Sequence, residues 1–242
     1  MTGTGNDVGA HIFSSDGRIF QVEYAAKCVE SGPTVLGVCC RDGVVLAVEN
    51  LRSSTLLEDT SNPRIYPVDR HIGVAVAGSI PDGVFAVRWA RAEASNYKGS
   101  YDVPIPGNVS AHRLGSVFHG YTFDGYTRPL GTTVLMASYD SAKGPELHLI
   151  DPSGTVAGYH GCAAGKARTV AKTALEAINY ETITCEEAVV QLGKIINDCH
   201  DSSKDRLWNF EMSWIGEKSG FQFQKVPAAL IPAKKAATAA AA

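Results

Sequence analysis

Hydrophobic residues along the chain follow two spacings, and these spacings separate predicted strands from predicted helices. Runs typical of strands, bounded by turn residues, occupy residues 34–40, 44–48, 65–68, 71–77, 132–138, 146–150, 155–160, 208–214 and 221–226. Repeats typical of helices occupy about residues 19–31, a segment from 79, a segment after 110, residues 167–178 and a segment behind 184–187. Because many predicted strands are joined by short turns, we expect antiparallel sheets.

The order of these segments limits the possible architectures. After a first isolated helix come four strands, two helices, three strands, two helices and two strands. Two antiparallel sheets packed face to face, with helices outside each, would cover every apolar face. The segment order alone does not establish this arrangement.

The first helix is preceded by a turn and stands alone before the first strand. Residues 13–26 read FSSDGRIFQVEYAA, in which Asp16 and Gly17 predict the turn. The apolar positions spaced by four residues are Phe20, Tyr24 and Cys28. Gly32 and Pro33 end the helix. A single helix ahead of a sheet needs a surface to cover it, either on its own domain or on a neighbouring subunit.

Residues 13–26 closely resemble the N-terminal signature of proteasome alpha subunits, FSPDGRxxQVEYA, with Ser15 in place of the usual proline. The resemblance implies an α+β fold, a four-layer αββα sandwich of the Ntn-hydrolase-like proteasome type. It divides the chain into a mobile gate segment at 1–12, a proteasome alpha-type domain at 13–226 and a low-complexity tail at 227–242. Residues 68–78, 150–154, 161–168 and 211–217 resemble one branch of the family, alpha type-3, which is alpha-7 in ring order.

The resemblance also implies a function. Alpha subunits are non-catalytic members of the outer ring of the 20S proteasome, and they contribute to ring assembly, to axial gating of substrates and to regulator docking in ubiquitin-dependent protein degradation. The implied partners are other alpha subunits in a seven-membered ring, a beta ring below, regulatory particles or activators on the outer face, and unfolded polypeptide passing through. The expected location is the cytoplasm and nucleus.

Two groups of residues correspond to functional positions of the family. The gate and N-terminal cluster comprises Asn6, Asp7, Val8, Ser15 and Tyr24. Alpha subunits usually carry Tyr-Asp-Arg where this chain has residues 6–8, so only the aspartate matches. Without that tyrosine and the signature proline, the cluster that stabilises the open gate should be weaker here.

The possible regulator pocket comprises Arg64 and Gly78. Many alpha subunits carry a lysine at the position of Arg64, where it pairs with the C-terminal carboxylate of a regulator. Arginine keeps the positive charge but is larger and forked, so docking at this pocket does not carry over directly.

Catalysis by an N-terminal threonine is the sharpest alternative, because proteasome beta subunits share this fold and cut peptides in that way. The position of their nucleophile is occupied here by Pro33, which has no hydroxyl. Thr34 lies one residue after the nucleophile position, and a 33-residue extension precedes it. Glu49 replaces an aspartate of the beta subunits, and Arg64 lies near the position of their catalytic lysine. We therefore predict a non-catalytic chain. A third class, an independent bacterial-type hydrolase or binding protein of the same broad fold, would be a free monomer.

Composition excludes other classes. The 242 residues carry a net charge of −3 with a pI near 6.2, which disfavours nucleic acid as the main partner. Neither a membrane-spanning run nor a signal peptide is expected. The six cysteines show no metal-ligand spacing and are predicted to be small buried hydrophobes in a reducing compartment. Residues 161–167 resemble a phosphate loop that is one residue short, and we interpret them as a tight turn between a strand and a helix. No cofactor or metal is predicted.

Overall fold

The computed structural model describes residues 12–58, 61–201, 205 and 207–234. Its helices are α1 (Phe20–Glu30), α2 (Ile80–Tyr101), α3 (Gly107–Phe123), α4 (Arg168–Glu176) and α5 (Cys185–Cys199). Its strands are β1 (Val35–Cys40), β2 (Gly43–Leu51), β3 (Ile65–Asp69), β4 (Ile72–Gly78), β5 (Thr132–Asp140), β6 (Gly144–Ile150), β7 (Val156–Gly158), β8 (Gly161–Ala164), β9 (Trp208–Gly216) and β10 (Gln224–Lys225).

The described strands form two five-stranded antiparallel sheets. The first has the order β10-β9-β2-β1-β8 and the second the order β3-β4-β5-β6-β7. The hairpin of β1 and β2 pairs Cys40 with Gly43, and β2 then runs along the full length of β9. The antiparallel pairing predicted from the short turns is therefore confirmed.

Within the described residues, three apolar cores separate four layers. One lies between the first sheet and helices α4 and α5, and includes Leu36, Trp214 and Leu192. A second lies between the two sheets and includes Leu46 and Leu135. A third lies between the second sheet and helices α2 and α3. This is the predicted αββα sandwich, in which every sheet face is covered.

The sequence analysis missed one strand. Residues 161–167, predicted as a turn, contain β8, whose residues 161–164 pair with residues 35–38 of β1. The segment is only four residues long, and its Gly and Ala side chains give no strand signal. β1 is therefore an inner strand with a partner on both sides.

Other boundaries differ modestly from the sequence interpretation. α3 begins at Gly107, before the predicted start after residue 110. The alternation in β9 predicts a half-buried strand, but residues 212–216 are all buried because cores cover both faces of the sheet. Of the predicted tail, residues 227–234 pack on the domain, where Asn197 Nδ2 donates to the carbonyl of Ala233 at 3.1 Å.

The cysteines are all free thiols, but they do not share one environment. Cys40, Cys162 and Cys185 are buried, Cys39 and Cys199 are half-buried, and Cys28 is exposed on α1. The prediction that all are buried hydrophobes is wrong for Cys28. In the part of the chain that the structure describes, no helix is both long and apolar enough to span a bilayer.

Candidate functional site

The signature segment folds into a closed turn that starts α1. The backbone N–H of Arg18 donates to Ser14 Oγ at 3.0 Å, and the backbone N–H of Ser14 donates to the carbonyl of Arg18 at 2.9 Å. Gly17 adopts φ +73°, a left-handed conformation that glycine accepts without strain. Arg18 then pairs with Glu23 in the first turn of the helix. The predicted turn and helix are confirmed.

The buried side of α1 is not the predicted apolar stripe. Ala25 and Val29 are buried, whereas Tyr24 and Cys28 are exposed. Tyr24 stacks on Phe20 with ring centroids 6.3 Å apart. The small residues pack because α1 approaches β4 closely: a Cβ added at Gly78 would lie 3.1 Å from Val29. The aromatic side of α1 therefore faces away from its own domain.

The predicted gate cluster is described only in part. Asn6, Asp7 and Val8 lie outside the described residues. Ser15 is exposed in the turn before α1, and Tyr24 is 43% exposed. Their roles in a gate stay predictions.

Pro33 occupies the nucleophile position of catalytic relatives, and the threonine that follows it is closed to solvent. Thr34 is fully buried and its backbone N–H is bound within the chain, 3.4 Å from Glu49 Oε2. Its hydroxyl has no hydrogen-bond partner among the described residues. Because Thr34 has no free amine and no access to solvent, it lacks both the base and the substrate path that threonine catalysis requires.

Glu49 is the centre of a buried charged cluster at this position. Its Oε1 lies 3.2 Å from Lys166 Nζ and 2.7 Å from His200 Nδ1. Lys166 also pairs with Asp205 at 2.5 Å. Burial alone would lower the pKa of Lys166, but the hydrogen bond that Lys166 donates to Asp205 and the charge of Glu49 raise it above its ordinary value. The cluster holds Lys166 in two ion pairs as a protonated ammonium, and a protonated lysine cannot accept a proton.

Sequence reasoning missed three members of this cluster. In the sequence Lys166 stands out only within the phosphate-loop resemblance, and neither His200 nor Asp205 lies in a recognisable motif. The fold brings them to Glu49 because β8 places residue 166 beside the start of β1: the backbone N–H of Lys166 donates to the carbonyl of Gly32 at 2.9 Å. The cation that contacts Glu49 is therefore Lys166.

Arg64 and Gly78, which form the predicted regulator pocket, are in contact in the structure, and the docking role of this pocket stays a prediction. Arg64 is 7% exposed, and its Nη1 donates to the carbonyl of Gly78 at 3.0 Å. Glu211 accepts the backbone N–H groups of Arg64 and Ile65 at 2.9 and 3.0 Å, which fixes the start of β3 against β9. Burial raises the pKa of Glu211 above its ordinary value, and these hydrogen bonds oppose that shift.

Comparison with known proteins identifies the family. The family described as "Proteasome subunit" matches residues 29–215. The chain belongs to the proteasome subunit family. A second family, described by the N-terminal signature of A-type proteasome subunits, matches residues 7–27, so the chain is of the alpha type.

Among similar proteins, the alpha type-3 proteasome subunit of Oryza sativa is 44% identical over 99% of this chain and 96% of its own length. The alpha type-3 proteasome subunit of Drosophila melanogaster is 43% identical over 90% of this chain and 86% of its own length. A probable alpha type-7 proteasome subunit of Schizosaccharomyces pombe is 43% identical over 95% of this chain and 90% of its own length. The predicted resemblance to the type-3 branch is confirmed.

Like other members of the alpha type, the chain is a non-catalytic structural member of the outer ring of the 20S core, which is part of a threonine-protease complex. The geometry around Thr34 agrees with this identity, because the hydroxyl is buried and the neighbouring cation is doubly paired. The prediction of a non-catalytic chain is confirmed.

Proposed function

We propose that this chain occupies one position in a seven-membered ring of alpha subunits, rests on a beta ring and contributes to the axial gate. One observation carries this proposal: the signature turn and α1 present aromatic side chains outward from a rigid sandwich. Phe13 is 65% exposed and Tyr24 is 43% exposed. A protein that lies beside others in a ring needs such an exposed apolar surface.

The gate role combines the signature turn with the chain before it. Two hydrogen bonds between Ser14 and Arg18 close a turn at residues 14–18. This turn fixes the position at which the preceding chain leaves the domain. Unfolded polypeptide would then pass through the pore that these N-terminal segments surround. The cytoplasm and the nucleus are the compartments we propose.

A regulatory particle or activator would dock near Arg64 and Gly78. The guanidinium of Arg64 is largely buried and bound to carbonyl groups of β4. A regulator carboxylate at this pocket would therefore have to compete with Gly78 for an arginine that is already held in place. We expect weaker docking here than at a pocket with a more exposed lysine, because a flexible ammonium reorients more easily.

The first experiment measures native mass and peptidase activity together. The tagged chain is purified gently from its own cells, and each size fraction is assayed with a short fluorogenic peptide. We expect the chain to elute in a particle of several hundred kDa, with activity that survives Thr34→Ala. Elution near 25.7 kDa would favour an independent protein, and loss of activity with Thr34→Ala in an intact particle would favour a threonine protease.

A further inference from the structure

Two thiols and a carboxylate converge where the β1–β2 hairpin meets the start of α5. Cys40 is the last residue of β1, Asp42 lies in the hairpin turn and Cys185 is the first residue of α5. One ligand atom from each, two Sγ atoms and a carboxylate oxygen, lie within 4.8 Å of one another. This cluster is separate from the charged cluster around Glu49.

The backbone holds these three residues in place. The N–H of Cys185 donates to Asp42 Oδ1 at 2.8 Å, and the N–H of Arg41 donates to the carbonyl of Ile183 at 3.1 Å. Thr184 and Glu187 form a capping box that fixes the first turn of α5. The approach is close: a Cβ added at Gly43 would lie 2.9 Å from Cys185 Sγ. The three ligand groups are therefore positioned by secondary structure.

We propose that Cys40, Asp42 and Cys185 bind one thiophilic divalent cation of the zinc type. Thiolates select zinc over the hard cations, and a carboxylate oxygen is an accepted third ligand. In a tetrahedral site with Zn–S bonds of about 2.3 Å, two sulfur atoms lie about 3.8 Å apart. The three ligand atoms lie within 4.8 Å of one another, so the two sulfur atoms need to approach by roughly 1 Å at most to reach this separation.

Solvent can supply the fourth ligand. Cys40 and Cys185 are nearly fully buried, at 3% and 2% exposure, but Asp42 reaches the surface. A surface cleft beside the cluster is lined by Arg41, Asp42, Thr184, Glu186, Glu217 and Lys218. An ion can enter through this cleft and keep one water on its outer side.

The test uses the full-length chain in reduced, metal-free form, titrated with Cd²⁺ while thiolate-to-metal charge-transfer absorbance is followed. Equilibrium dialysis with Zn²⁺ gives the stoichiometry. We expect one ion per chain. Cys185→Ser should weaken binding by roughly 100-fold or more, because a direct ligand matters more than the outer-shell partners of a metal site. Asp42→Asn keeps an acceptor for the N–H of Cys185 and should weaken binding by about tenfold.

Cys39→Ala is the matched control. Cys39 is adjacent to Cys40 but lies on the opposite face of the sheet, against the core between the sheets. This variant should bind Cd²⁺ as the unchanged chain does. Absence of stoichiometric binding in the unchanged chain overturns the proposal, as does equal binding by Cys185→Ser.

A second measurement needs no variant and so does not depend on a variant that folds. X-ray absorption at the metal edge of the Zn²⁺-loaded chain counts sulfur neighbours. Two sulfur atoms and two lighter atoms around the ion support the proposal. Four sulfur atoms, or none, would place the ion elsewhere and reject it.

Discussion

At the scale of single residues, the most consequential side chain is Glu49. It is fully buried in β2, and its Oε1 contacts both Lys166 and His200. A carboxylate removed from water is tolerated only when partners compensate its charge. In this non-catalytic chain the cluster holds β2, the segment after β8 and the end of α5 together.

Replacing Glu49 should therefore destabilise the fold. Glu49→Gln leaves the size of the side chain unchanged but removes the charge opposite Lys166, and we expect a loss of about 3 kcal/mol in the free energy of unfolding. Urea unfolding of the purified chain measures this. Glu23→Gln, which removes an exposed partner of Arg18, should have a much smaller effect. Equal losses in the two variants would contradict a structural role of the buried cluster.

Gly165 offers a second residue-scale prediction, because it combines a left-handed backbone with a crowded setting. It has φ +97°, and a Cβ there would lie 2.1 Å from the carbonyl oxygen of Pro33. Gly144 has φ +88° but nothing within 4 Å of its Cβ position. Gly144→Ala should cost about 1 kcal/mol from backbone strain alone.

Gly165→Ala should cost clearly more, because the added methyl also forces β8 away from the start of β1. Thermal and urea unfolding of both variants measures the difference. Similar stabilities for the two variants would show that the contact between Gly165 and Pro33 relaxes without cost.

The sequence was informative where a single residue type decides the chemistry. It was uninformative where the fold brings together residues that lie far apart along the chain. The absence of a nucleophile could be argued from Pro33 alone. The partners of Glu49 could not, since Lys166 and His200 are brought in by elements far along the chain. The same holds for Cys185 and Asp42, which are 143 residues apart. Spacing rules for metal ligands detect only local clusters.

At the scale of elements, long periodic segments were predicted well and short ones were not. The helical repeat behind residues 184–187 predicted α5, and the structure confirms this helix and shows a capping box of Thr184 and Glu187 at its start. β8 was missed because it is held by pairing with β1 and not by its own propensity. The prediction of which side of α1 is buried was wrong, because the close approach of α1 to β4 favours Ala25 and Val29 over larger aromatic side chains.

Asp82 joins elements and gives a prediction about pH. Its carboxylate accepts two hydrogen bonds from Arg128, at 2.7 and 2.8 Å, and one from the backbone N–H of Gly131 at 2.9 Å. The hydrogen bonds from Arg128 lower the pKa of Asp82 below its ordinary value, and the backbone bond adds to this. α2 is thereby fastened to the start of β5.

A carboxyl whose pKa is lowered by folding contributes stability above its unfolded pKa, about 3.9, and loses it as the pH falls through the folded value. Asp82→Asn should therefore be less stable than the unchanged chain at neutral pH. The difference in stability between Asp82→Asn and the unchanged chain should disappear below about pH 4. Urea unfolding across this pH range measures it. Arg128→Met should show the same pH dependence as Asp82→Asn. A stability difference between Asp82→Asn and the unchanged chain that stays constant at acid pH would contradict the role of the Asp82 carboxylate.

At the scale of the whole molecule, the sandwich forms a stable base that carries the exposed signature turn. Three cores stabilise the two sheets and their helices, whereas the signature turn lies at the edge with Ser15 and Tyr24 exposed. The proposed gate role needs this difference, because a segment that opens and closes must cost little to move.

Asn6 and Ser15 depart from the family pattern, and we predict that both departures weaken the cluster proposed to stabilise the open gate. Asn6→Tyr and Ser15→Pro restore the aromatic ring and the rigid turn residue of the family pattern. One aromatic contact of about 0.5 kcal/mol would shift the ratio of open to closed gates about twofold. We therefore expect basal hydrolysis of a short fluorogenic peptide by the intact particle to rise about twofold. The paired alanine variants control for substitution as such and should give no rise. If the restored particle hydrolyses the peptide at the original rate, these positions do not limit gate opening, and the neighbouring subunits control it.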